Sequence, residues 1–206
     1  MKRDLALIAG IAIAVATVLP PLEPWALGTL TGHMVQHLLD TDIIPPLVFF
    51  GAPQLVRPFR IIPAPFSLFA SIALIWGIHF GPLFNAALES VPLQALVHVL
   101  FLTAGALLWA PVFDAQRLST VARLGYVFIA MPFTGFLGFV IYSARSPLYA
   151  HYARLCGSGA LADQHSGGEL MWVGGSAIMF VGFMILACEY ARQEIRIAAE
   201  SAAGSS

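Results

Sequence analysis

Long apolar runs dominate this chain, in place of the period-2 alternation of strands or the single apolar stripe of surface helices. The runs fall at 4–21, 28–51, 64–86, 91–112, 119–143 and 168–190, and about 20 apolar residues in helix cross a hydrocarbon core of about 30 Å. The pattern predicts an all-α, polytopic membrane bundle of six transmembrane helices. A single domain, 1–197, holds all six, and the Ala/Gly/Ser-rich tail 198–206 is expected to be disordered. Pro45-Pro46 lies inside the second run and should kink or break that helix, because proline removes a backbone donor and clashes with the preceding turn. Glycines gather in the fifth and sixth runs (Gly135, Gly138, Gly168, Gly174, Gly175), where close helix packing is their simplest use.

Composition agrees with the pattern. Of 206 residues, 59% are hydrophobic and 10% charged, against about 25% charged in soluble domains. The net charge of −1 offers no basic surface, so nucleic acid is excluded as an expected partner and membrane lipid takes its place. Lys2-Arg3 before the first run is also how a secretory signal begins. A retained helix is favoured, since no clear small-x-small site precedes Pro20-Pro21.

The positive charges then orient the bundle. With six spans and a cytoplasmic N-terminus, Lys2, Arg3, Arg57, Arg60, Arg117, Arg123, Arg192 and Arg196 lie inside, and only Arg145 and Arg154 outside. That bias places both termini in the cytoplasm, with the chain multi-pass in its membrane. It also sets the histidines. His33 and His37 lie in the first third of the second span, which enters from outside; His79 ends the third, His98 begins the fourth, and His151 and His165 belong to the outer segment 144–167.

Ionisable groups in hydrocarbon are costly and are usually kept for a function. His33 and His37 are four residues apart, so both rings leave one helix face, and Asp40 extends the stripe. Asp42 leaves about 200° from Asp40 and does not join it. A lone intramembrane histidine often serves helix–helix hydrogen bonding. Four of them, His33, His37, His79 and His98, on three consecutive helices point instead to a metal or haem site near the outer face. Imidazoles suit copper, zinc, iron and nickel, and the nearby thioethers of Met34 and Met171 tilt the choice toward copper without fixing it. Cys156 and Cys188 form no CxxC and are placed at opposite membrane faces, too far apart for a disulfide. No Ser/His/Asp order, phosphate loop or paired catalytic carboxylates stand out, so no enzymatic turnover is expected.

Several short motifs, in order through most of the chain, resemble the CtaG family of caa-type cytochrome c oxidase assembly factors. They are His33-Met-Val-Gln-His37 with Pro45-Pro46-Leu and Gly51-Ala-Pro53, Trp76-Gly-Ile-His79 with Pro82, and Leu96-Val-His98 before Gly105 and Trp109-Ala-Pro111. Ser146-Pro-Leu-Tyr149 with Tyr152, and Leu161-Ala-Asp163-Gln164 before Gly168 and Met171-Trp172, complete them. The resemblance implies a multi-pass factor of the bacterial inner membrane, its metal site facing the periplasm, that matures the oxidase through its copper centres, with oxidase subunits and periplasmic copper chaperones as partners. It carries the site to His33, His37, His79 and His98 and an Asp-Gln pair to Asp163 and Gln164, which would cap the site and orient the imidazoles. Asp40, His165, Met34 and Met171 stand as accessory candidates. Two other functions compete: a haem-binding electron-transfer protein with bis-histidine ligation, and a small proton-coupled transporter using Asp40 and the histidines.

Overall fold

The computed structural model describes residues 1–80 and 82–204, all-helical with no strand among them. Gly81, in the third expected span, and Ser205 and Ser206, at the end of the expected tail, lie outside the described residues. The chain runs through α1 (Lys2–Thr17), α2 (Leu22–Gly28), α3 (Leu30–Leu38), α4 (Ile44–Gly51), α5 (Ala64–Phe80), α6 (Pro82–Ala87), α7 (Val91–Phe113) and α8 (Thr120–Ser143). It closes with α9 (Ala150–Cys156), α10 (Ala160–Glu169) and α11 (Gly175–Gly204), the last extending over part of the tail.

Three stretches are long and apolar enough to cross a membrane: Val91–Phe113, Thr120–Ser143 and Ala150–Ala203. Two bent pairs raise the number to five if each is one span, Lys2–Thr17 with Leu22–Gly28 at 48° and Pro53–Ile61 with Ala64–Phe80 at 95°. Their outward faces are apolar, as lipid requires: Leu5, Ile8, Phe128, Phe133, Phe180 and Ile185 are all exposed. These helices mark a membrane protein. The second expected span, 28–51, is not among them, because it carries His33, Gln36, His37, Asp40, Thr41 and Asp42. All six of these side chains are buried.

The expected break at Pro45-Pro46 takes a specific form. Helix α3 widens into a π-turn at Leu39–Ile43, and α4 restarts with the prolines in its first turn, where a missing N–H costs nothing. Single π-turns inside α-helices recur at functional sites, and a second one, Leu170–Gly174, joins α10 to α11. Helix α7 comes up against the first π-turn at Gly105. A Cβ there would lie 2.7 Å from Thr41 Cα and 2.8 Å from Pro45 Cγ, so only glycine permits the approach. Gly138 of α8 and Gly168 of α10 meet in the same way, each placing a built Cβ 2.8 Å from the other helix's backbone. Hydroxyls of Ser67 and Ser71 on α5 bond to Leu107 O and Ala104 O of α7 at 2.7 and 2.8 Å.

The segment 144–167, expected as a long outer loop, is mostly helical. Ala150–Cys156 and Ala160–Glu169 are rich in good helix formers, and Gly157, at φ 53°, turns the chain between them. At the opposite end of the bundle the arginines are tied down: Arg60 grips Asp114 with two nitrogens at 3.0 and 2.7 Å, Arg117 donates to Arg60 O, and Arg123 reaches Glu189 at 2.8 Å.

Gly105→Val is expected to destabilise the bundle by about 2 kcal/mol through overpacking, read as a lowered thermal midpoint in detergent. An unchanged midpoint would show that α7 and the π-turn are not in close contact.

Candidate metal site

The second, third and fourth expected spans bring their histidines together unequally. His33 and His37, one turn apart on α3, face His79 from the last turn of α5. The ring centroids of His33 and His79 are 5.8 Å apart and those of His37 and His79 are 5.1 Å apart, each pair edge-on. All three residues are at most 5% exposed. Phe101 of α7 touches all three rings, at 5.7, 4.5 and 5.6 Å, and Phe84 of α6 touches His33 and His79 at 4.7 and 5.8 Å. The imidazoles therefore sit in an aromatic cage.

Inside that cage, His79 Nδ1 lies 2.8 Å from Ile75 O. A carbonyl only accepts, so Nδ1 carries the proton and Nε2 presents a lone pair. This Nε2, His33 Nε2 and His37 Nδ1 are buried and have no hydrogen-bond partner among the described residues. With metal–nitrogen bonds of about 2.0 Å, two imidazoles sharing one ion have ring centres roughly 5–6 Å apart. The donor type, the orphaned nitrogens and the ring spacing thus fit a metal ion. No group of three or more His, Cys, Asp and Glu among the described residues is already converged on an ion position. Loading would require the rings to turn toward one another.

His98 of α7 stands apart from the three. Its Nδ1 lies 2.7 Å from Asp40 Oδ2 and its Nε2 lies 3.3 Å from Glu23 Oε2. Glu23 also accepts from Gln36 Nε2 at 2.6 Å, and the same amide nitrogen reaches Thr17 O at 2.6 Å. Sequence reasoning missed Glu23, Gln36, Phe84 and Phe101. Glu23 carried one signal, a carboxylate between Pro21 and Pro24 in an otherwise apolar region.

Asp163 and Gln164 hold helices, not imidazoles, in their direct contacts. The Asp163 carboxylate accepts from Leu30 N at 2.6 Å, Thr31 N at 3.2 Å and Thr31 Oγ1 at 2.7 Å. It therefore caps the positive end of the helix that carries His33 and His37. The first turn of α10 packs on the α3 N-terminus, where free N–H groups are the nearest donors. Gln164 binds Leu148 N at 2.7 Å and fixes the chain after α8. His165 Nε2 lies 3.0 Å from Ala144 O, far along the chain from the cage. Around the same junction, Tyr152 donates to Ala26 O at 2.7 Å and His151 Nε2 lies 3.2 Å from Leu27 O. Met34 and Met171 are buried in the surrounding apolar cluster, and Met171 lines a small cavity with His37 and Asp42. Asp42 takes a bond from Thr41 Oγ1 at 2.9 Å.

Fold and site together define a multi-helix membrane protein organised around buried imidazoles. Residues 1–193 match the family described as cytochrome c oxidase caa3 assembly factor (Caa3_CtaG), and the chain belongs to that family. It is similar to uncharacterized proteins of Mycobacterium bovis and Mycobacterium tuberculosis, each 23% identical over 95% of this chain and 35% of the relative. A third, from Mycobacterium leprae, is 25% identical over 81% of this chain and 30% of the relative. The chain thus spans about a third of the length of these curated relatives. No solved structure matches.

Asp163→Ala should release the α3 N-terminus and lower stability by about 1.5 to 3 kcal/mol, the range for hydrogen bonds to a charged group. The check is chemical denaturation in micelles, with amide exchange at Leu30 and Thr31. Undiminished protection of those two amides would contradict the cap.

Proposed function

We propose that this assembly factor carries copper in transit to cytochrome c oxidase, holding it at His33, His37 and His79. The observation that supports this best is the set of three orphaned imidazole nitrogens in one aromatic cage. A buried polar atom without a partner costs about 1 to 3 kcal/mol, and three from two helices form a standing deficit that a bound cation would relieve. The chemistry of the donors agrees: neutral nitrogen ligands with a methionine close by suit copper, Cu(I) above all. Copper here is cargo. A set of ligands that must turn inward to close on the ion, against the packing of Phe84 and Phe101, suits a site that also releases it.

The same reading places Leu30–Gly51 as a sixth span, with its polar side chains turned into the bundle. Both termini are cytoplasmic and the protein is a multi-pass resident of the bacterial inner membrane. The arginine end, with Arg60, Arg117 and Arg123, faces the cytoplasm under the positive-inside rule. The opposite end, where α9 and α10 cover the start of α3, faces the periplasm, within reach of periplasmic copper chaperones and the oxidase subunits. The role is delivery, not turnover.

Purified in mild detergent and supplied with Cu(I), the wild type should retain about one ion per chain, and the His33→Ala/His37→Ala double variant less than about a tenth of that at an unchanged helical content. Equal copper in the two proteins contradicts the site. A Soret band with stoichiometric haem and no copper would transfer the cage to an electron-transfer role.

A further inference from the structure

The contacts of His98 make a graded chain from the outside inward. The side chains of Glu23 and His98 are 20% and 12% exposed, while Asp40 is 1% exposed. Alongside them lies a cavity of about 30 Å³ lined by Glu23, Gln36, Gln94 and His98, with His33 on its inner wall. The unpartnered Nε2 of His33 belongs to this same inner wall residue. One cavity therefore joins a partly exposed carboxylate to the first donor of the cage.

His98 is held between two carboxylates. Two nitrogen-to-carboxylate contacts around one imidazole need two protons, whereas a neutral ring brings one. A purely structural tie would be met by one carboxylate, or by neutral amides at smaller desolvation cost. Here two carboxylates flank His98: Glu23 lines the cavity, and Asp40, on the other side of the ring, keeps its Oδ1 buried without a partner among the described residues. A carboxylate thus stands on the cavity wall beside an imidazole.

We propose that Glu23 and His98 form the inlet through which the cation reaches His33, and from there His37 and His79; this rests on the copper reading above. The cavity has room for about one water molecule, so the ion moves through it without its hydration shell and by stepwise exchange of protein ligands. No bond other than metal–ligand bonds forms or breaks, and no electron moves. The inlet consequently takes weakly hydrated cations such as Cu(I) or Ag(I), and rejects Mg²⁺, which dehydrates reluctantly. Gln94, also on the cavity wall, supplies a neutral oxygen on the way in.

The test is stopped-flow transfer of Cu(I) from a chromophoric chelator to the full chain in detergent, with the equilibrium affinity measured on the same samples. Glu23→Gln should slow uptake about tenfold or more, as expected when electrostatic steering is removed, and leave the affinity within about threefold. Gln94→Leu, which changes no charge, should slow uptake in the same direction, and excess Mg²⁺ should not compete. Wild-type uptake rates in both variants overturn the inlet and leave the copper site standing. An affinity loss in Glu23→Gln as large as its rate loss also overturns it, because Glu23 is then a ligand of the resting site. A wild type that takes up no Cu(I) overturns the inlet together with the copper reading.

Discussion

Burial of a polar stripe inside an apolar bundle is the constraint on which this molecule depends. Between Leu30 and Gly51 the chain encloses two imidazoles, two carboxylates, an amide and a hydroxyl in surroundings where unpaired polar groups are expensive. Most of the architecture answers that demand. The N-terminus of α3 is capped by Asp163, Gln36 is shared between Glu23 and Thr17, and Asp40 is met by His98. The π-turn at Leu39–Ile43 changes the direction of the stripe midway and meets α7 at Gly105, so that both carboxylates remain enclosed.

What is left unsatisfied is then informative. The bundle supplies partners for Gln36, for Thr41 and for one oxygen of each aspartate, yet leaves one nitrogen of each of three neighbouring imidazoles without a bond. The three rings pack against Phe84 and Phe101. They remain available to a cation with affinity for nitrogen. Capping from α10 acts on this indirectly, because a loosened α3 would carry His33 and His37 away from His79 together.

Part of this was readable before any coordinates. The His33/His37 pair follows from helical spacing, and its meeting with His79 from the order of the helices, which brings the start of one beside the end of the next. The disturbance at Pro45-Pro46 follows from proline chemistry, although its form, a π-turn ahead of the prolines, depends on what α7 allows. The rest was hidden for physical reasons. Glu23, Phe84 and Phe101 have no periodic relation to the histidines and meet them only through tertiary packing. The different fate of His98 rests on two long-range contacts, to Asp40 and Glu23, that no spacing rule predicts. Asp163 was singled out, but its partner was not, since a helix N-terminus competes with an imidazole for the same carboxylate. The helices α9 and α10 were obscured by the small and polar residues around Gly157, which read as loop when taken together.

The proposed function has the imidazoles of the cage holding copper. X-ray absorption of copper-loaded protein tests that most directly. The account predicts a nitrogen shell at about 2.0 Å with the outer-shell scattering of at least two imidazole rings, diminished in His79→Ala. A copper spectrum without imidazole scattering, dominated by sulfur or by water oxygen, would contradict it.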